Sequence, residues 1–236
     1  MLLSLVIPTY NERPSIVALI QRTTAILDKS PVEFEIIVVD DDSSDGTWQA
    51  VEELARQNHR LKLIRRQDQK DLATAVVTGW KTATGNFLGA MDGDLQHPPE
   101  VLTLLLKPLV DSQADIVIAS RNVAGGGVSE WRPFRKLIAL GARLATILVL
   151  PRVVQSVRDP MSGYFLMKRT VIESVALKPV GYKILLEVLA RGKYRTITEI
   201  PYRFDERKNG ASKLGPKQCW DFLIHLWRLW RDRRMG

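Results

Sequence analysis

The stretch EFEIIVVDDDSSDGT, residues 33–47, decides how the rest of the chain is read. Its apolar run is uninterrupted, whereas a strand with one face in water would alternate apolar and polar residues, so both faces of this strand are covered. The run stops at Asp40, Asp41 and Asp42, and a turn follows in which Ser44 or Asp45 can cap the helix WQAVEELARQ. Buried strand, polar loop and helix make one unit, and the unit recurs on either side. Upstream, LLSLVIP is a strand and Pro14 opens a helical segment to about Lys29. Downstream, LKLIRR precedes a helical run from Leu72 to Thr82, NFLGAMDGD precedes the helix that starts in HPPEVLTLLLKPLVDS, and ADIVIASR is a fifth strand. The pattern predicts an α/β fold, a Rossmann-like, mostly parallel sheet flanked by helices. Ligands of such sheets bind beyond the carboxyl ends of the strands, so PTYNE, DDDSSDGT and DGDLQ are expected to meet at one edge.

Composition narrows the partners. With 236 residues and 45% apolar content the chain can bury one large core or two small ones. The single cysteine, Cys219, rules out a disulfide framework and a cysteine-based zinc cluster. The opening MLLSLVIPTYNE lacks the basic start of a signal peptide. The apolar segment from Leu137 to Val154 is interrupted by Gly141, Arg143, Pro151 and Arg152, short of the roughly 20 apolar residues of a spanning helix. The net charge of +8 is unevenly placed: residues 1–119 hold 11 Lys+Arg against 17 Asp+Glu, and residues 120–236 hold 23 against 9. An acidic half suits a divalent metal; a basic half suits phosphate or an anionic membrane surface. The sequence pI of about 9.7 would also suit nucleic acid, but no recognition element or interleaved aromatic pattern is present, and no nucleic-acid partner is expected.

The segment MDGDLQHPPE, residues 91–100, carries the chemistry. Asp92 and Asp94 flank Gly93, so a local bend can aim both carboxylates at one hard cation, Mg or Mn, with Gln96 adding a neutral oxygen. The same triplet can serve as an ordinary turn; its place between FLGAM and LQHPPE favours the metal. His97 reads as a capping or packing residue, because no second histidine stands at ligand spacing. Asp40 and Asp41 are placed to accept hydrogen bonds from a base or ribose, with Asp42 and Asp45 as turn and cap residues.

Taken in order, VIPTYNE, IIVVDDDSSDGT, MDGDLQHPPE, DPMSGYF, GYKILLEVL and EIPYRFDERKNGASKL resemble the family 2 glycosyltransferases of the GT-A fold. The closer resemblance is to the polyprenol-phosphate, or dolichyl-phosphate, mannosyltransferases, over about residues 1–215. It implies metal-dependent, inverting transfer of mannose from GDP-mannose to the phosphate of a polyprenyl phosphate lipid. It assigns Pro8, Tyr10, Glu12, Asp40 and Asp41 to the nucleotide donor, and Asp92, Asp94 and Gln96 to the metal and diphosphate. Arg121, Arg135, Arg207 and Lys213 would contact the donor diphosphate or the lipid phosphate, with Ser162 and Asp159 near the acceptor. The acceptor phosphate, with a second pKa near ~6, is largely ionised at neutral pH, so no strong general base is required. A UDP-glucose-dependent glucosyltransferase would carry nearly the same motifs, and an inactive or partner-dependent relative is the other alternative. Two residues depart from the family pattern. Asp71 stands where a glycine is usual, and Gly93 stands where alanine is usual.

Two segments point to a membrane surface. Residues 133–155 and the C-terminal helix of residues 216–236 combine apolar and Trp-rich stripes with Arg and Lys, as interfacial helices do. Packing on the domain or on a partner subunit is the competing reading. The expectation is a peripheral protein on the cytoplasmic face of a membrane, held there directly or by a separate membrane-anchoring subunit.

Overall fold

The computed structural model describes residues 1–68, 70–129, 133–205 and 215–235, with the side chains of 133–139, 152, 154, 234 and 235 left outside that description. In the first half β1 (Leu2–Thr9) feeds α1 (Arg13–Leu27), β2 (Glu33–Asp40) feeds α2 (Thr47–Gln57), and β3 (Leu61–Arg65) feeds α3 (Leu72–Thr82). Then β4 (Phe87–Ala90) leads through a 3-10 turn at Pro99–Val101 into α4 (Leu102–Val110) and β5 (Ile116–Ser120). The second half holds β6 (Gly127–Val128), α5 (Pro133–Val149), α6 (Pro151–Ser156), β7 (Phe165–Lys168), α7 (Ile184–Arg191), β8 (Ile197–Pro201), β9 (Arg203–Phe204) and α8 (Pro216–Met235).

Among the described residues seven strands pair in the order β3-β2-β1-β4-β7-β5-β8, and β6 pairs with β9 apart from them. The continuous apolar runs feed two cores. Leu5, Ile7, Ile36 and Val38 face α1 and α4, while Val6, Ile37 and Val39 face α3 through Ala73, Val76 and Trp80. Alternate side chains of a strand point to opposite faces, so a strand buried on both sides needs apolar residues at every position.

Two local expectations change, and one strand is added. NFLGAMDGD pairs only from Phe87 to Ala90, and Leu95 takes a left-handed φ of 62°, turning the rest out of the sheet as a loop. Helix α2 has Gly46 as its N-cap, at φ 87°. Asp45, one residue earlier, accepts from Thr47 N at 3.0 Å and from Arg13 N at 3.0 Å, so one carboxylate serves the starts of α2 and α1. Strand β7 runs antiparallel to both neighbours. Because it reverses once on each side, β5 and β8 still run with β4, and Ser120 and Pro201 end at the same edge as Thr9, Asp40 and Ala90.

Helices α5 and α8 pack together, and each presents two stripes. In α8, Phe222, Leu226 and Leu229 are buried, and His225 bonds to Glu187 of α7 at 2.8 Å with both residues fully buried. Trp220, Leu223, Trp227 and Trp230 point outward, as do Leu140, Leu144, Ile147 and Leu148 of α5. The packing and surface readings therefore apply to opposite faces of one helix. Among the described residues no helix is long and apolar enough to cross a membrane.

Candidate active site

The loops after β1 and β2 are sewn to each other. Asn11 donates from its backbone to Ser43 Oγ at 2.8 Å and accepts from Ser44 N at 3.0 Å, and Glu12 N donates to Thr47 Oγ1 at 2.9 Å. Asn11 and Asp42 both hold left-handed φ values, 52° and 56°, which short polar residues tolerate better than most. Within this frame the expected nucleoside contacts divide. Pro8 is buried in β1, Glu12 is buried at the start of α1, and Tyr10 is exposed at the edge with the Lys70 ammonium 4.8 Å from its ring centroid.

Asp40 is fully buried and spends its oxygens on Thr9 Oγ1, Ser43 N and Ser43 Oγ, so it holds the turn. Asp41 is buried under a two-pronged Arg66 pair at 2.7 and 2.8 Å and also accepts from Asp71 N at 2.8 Å. Both aspartates are engaged by neighbouring protein groups, because a buried carboxylate left unpaired would carry a large desolvation cost.

The loop after β4 holds the metal candidates. Asp92 keeps a third of its side chain exposed, and its Oδ2 lies 3.2 Å from His97 Nε2. Burial works against its ionisation, but the hydrogen bond with His97 and the charges of Lys183 and Arg121 outweigh it and hold the carboxyl below its ordinary value. Asp94 accepts from Gln96 N at 3.1 Å. Gln96 is buried and commits its amide nitrogen to the Asp205 carbonyl at 2.9 Å. Gly93 does not open space: a Cβ there would meet Thr9 Cγ2 at 3.0 Å, so the loop already packs on β1. Among the described residues no three acidic, histidine or cysteine side chains form a metal cage. Mg-type cations are commonly held by one or two carboxylates and completed by substrate phosphates, and Asp92 with Asp94 and Gln96 fits a divalent ion of that kind.

Beside them stands a buried cation. Arg121 donates through Nε and Nη2 to the two oxygens of Asp159, each at 2.7 Å, and its backbone N–H adds a third bond at 3.0 Å. Burial opposes ionisation of Asp159, and the Arg121 contacts overcome it, so the pair stays charged. Ser162 turns inward: its hydroxyl donates to the Ala119 carbonyl at 2.7 Å, so it supports the loop. Arg207 and Lys213 lie outside the described residues, and Arg135 lies on α5 with its side chain outside the description.

The structure adds Lys183 to the residues around the site and explains Asp71. Lys183 donates to the Met161 carbonyl at 3.0 Å, and its charge acts on both Asp92 and Asp159. Asp71 explains its departure from the family pattern. It is the N-cap of α3, accepting from Thr74 N at 2.8 Å, and its other oxygen accepts from Gly181 N at 2.6 Å. Gly181 takes φ 79° and returns its carbonyl to Ala73 N at 2.9 Å. Asp71 thus ties α3 to the Gly-Tyr-Lys turn that delivers Lys183. A cap signal was legible at Asp71, since Asp before a helical run is a common N-cap; the link to residue 181 was not.

The glycosyl transferase family 2 model matches residues 4–176. The chain belongs to glycosyl transferase family 2. Within the family it is 43% identical, over 97% of its length, to a dolichol-phosphate mannosyltransferase of Pyrococcus furiosus, and spans 64% of that relative. It is 33% identical to the dolichol-phosphate mannosyltransferase of Saccharomyces cerevisiae, over 96% of this chain and 86% of that one. Among solved structures, glucosyl-3-phosphoglycerate synthase from Mycobacterium tuberculosis, in complex with Mn2+, UDP-glucose and phosphoglyceric acid, superposes with a TM-score of 0.70 at 17% identity, covering 97% of this chain and 79% of that one. Mannosyl-3-phosphoglycerate synthase from Rubrobacter xylanophilus also gives 0.70, at 18% identity, over 99% and 75%. The last two likenesses establish the GT-A architecture.

Proposed function

We propose that this family 2 chain transfers mannose from GDP-mannose to the phosphate of a polyprenyl phosphate, with inversion, at the cytoplasmic surface of a membrane. The observation that carries the reading is the 43% identity, over 97% of the chain, to a relative named for dolichol-phosphate mannose transfer.

In this reading an oxygen of the acceptor phosphate forms a bond to the anomeric carbon of mannose. The bond from that carbon to the β-phosphate oxygen breaks, and GDP leaves with the electron pair. The acceptor arrives ionised, so the protein has charge to manage and no proton to remove. The charges of Arg121 and Lys183 act on Asp92, beside which two phosphate groups must approach, and fixed cations offset their repulsion. Asp159 holds the Arg121 fork in place, so little ordering is left for the moment of reaction. Tyr10 offers an exposed ring to the nucleoside, and Asp92, Asp94 and Gln96 would hold Mg or Mn. That ion would stabilise the charge growing on the departing diphosphate. Arg135, Arg207 and Lys213 are assigned to the same phosphates by their motif positions. The outward Trp and Leu stripes of α5 and α8, beside Arg228 and Arg231, are assigned to the membrane surface, with a separate anchoring subunit as a further partner.

The test is transfer from labelled GDP-mannose and, in parallel, UDP-glucose to a polyprenyl phosphate in detergent with Mg or Mn. Chelator-sensitive mannolipid is expected, and Asp94→Ala should abolish it while leaving the fold intact. Glucolipid alone would change the donor; undiminished turnover by Asp94→Ala would remove the metal assignment.

A further inference from the structure

His97 is 1% exposed and bridges two polar groups, with Nδ1 at 3.0 Å from the Tyr202 hydroxyl and Nε2 at 3.2 Å from Asp92 Oδ2. Its ring is boxed by Tyr164, Tyr202 and Phe204, at centroid distances of 5.3, 5.6 and 5.2 Å. An ionised carboxylate can only accept, so Nε2 carries a proton; in the neutral ring Nδ1 then accepts, and the Tyr202 hydroxyl donates to it. The two partners assign the tautomer. Gly163 packs against the carboxylate, because a Cβ there would lie 2.5 Å from Asp92 Oδ2 and 2.9 Å from Oδ1. Held at one oxygen and walled on one face, the carboxylate has little freedom to rotate.

We propose that Tyr202 and His97 form a positioning relay that locks the Asp92 carboxylate by its Oδ2 and reserves Oδ1 for the divalent cation. The inference rests on Asp92 being a metal ligand. It gives His97 a task other than capping, packing or ligation: its aromatic box fixes the ring, the tyrosine fixes the tautomer, and the tautomer fixes the ligand. Tyr202 belongs to the stretch just beyond β8, so the relay also joins the metal loop to the far side of the sheet. Outer partners of metal ligands commonly contribute ~10–100-fold to metal affinity.

The experiment titrates Mn2+ into the purified chain with GDP, following free Mn2+ by electron paramagnetic resonance, alongside thermal unfolding without metal. Wild type, Asp92→Asn, His97→Phe, His97→Gln and Tyr202→Phe are compared. His97→Phe should weaken Mn2+ binding ~10–100-fold. Tyr202→Phe, which keeps the ring and loses the hydroxyl, should weaken it less, and His97→Gln, which keeps an N–H donor, should recover part of the loss. A folded His97→Phe protein with wild-type Mn2+ affinity overturns the relay, as does Mn2+ affinity in Tyr202→Phe equal to wild type. Asp92→Asn with unchanged Mn2+ affinity overturns the metal assignment beneath it.

Discussion

Replacing Asp71 with alanine removes two hydrogen bonds from one side chain and separates a structural role from a ligand-binding one. The cap on Thr74 N is worth about 1 kcal/mol. The charge-assisted bond from Gly181 N, at 2.6 Å, adds roughly 1.5–3 kcal/mol. A total of about 3 kcal/mol should lower Tm by ~6–12 °C in a chain of this size. Asp71→Gly, which restores the residue usual in the family, loses only a few tenths of a kcal/mol at the cap itself (~0.3) but still forfeits the Gly181 bond. Its Tm should therefore fall between wild type and Asp71→Ala. Urea unfolding followed by circular dichroism gives the free energies, and GDP binding in the presence of Mn2+ gives the second readout. Asp71→Ala unfolding within about 0.5 kcal/mol of wild type, the range of ordinary surface substitutions, would refute the staple. A large loss of nucleotide affinity at unchanged stability would instead make Asp71 a ligand contact.

Asp159→Ala strands the Arg121 guanidinium in a buried site and should cost ~3–5 kcal/mol in urea unfolding, with partial recovery in the Asp159→Ala, Arg121→Met double variant. At acid pH, Glu35 and Asp115 are among the carboxylates that shape the limb. For Glu35 burial opposes ionisation, but bonds from Lys62, Ser4 and Thr84 prevail and hold it at about 2, against an ordinary 4.5; Asp115 is held at about 2 against 3.8. Their folded values are depressed, so their stabilisation is complete above the ordinary values and is lost as pH falls from about 4.5 towards 2. Tm against pH should drop through that window, and Glu35→Gln should make the drop shallower. Leu148→Glu combined with Trp227→Glu, at positions 83% and 54% exposed, should reduce sedimentation with anionic vesicles while Tm stays within a few degrees of wild type, since neither side chain packs in the core.

The α/β class, the first five strands and the edge where the site lies were legible because apolar runs, polar loops and helical periodicity are local properties of the chain. The proximity of Asp92 and Asp94 was legible for the same reason, since residues two apart in one loop are neighbours in any fold. Four features needed the tertiary structure. The antiparallel course of β7 is one: FLMK, residues 165–168, reads the same in either direction. The burial of Asp40, Asp41 and Ser162 is another; a polar side chain at a strand end looks the same in sequence whether it faces a ligand or a neighbouring loop. Lys183 reaches the site through Asp71, 112 positions earlier in the chain. His97 meets Tyr202 across 105 positions. By itself the sequence determined which residues could carry charge or bind phosphate. Only the tertiary structure decided which carboxylates are spent on the fold and which face the site, because hydrogen-bond partners are assigned by distance in space, and no local pattern encodes it.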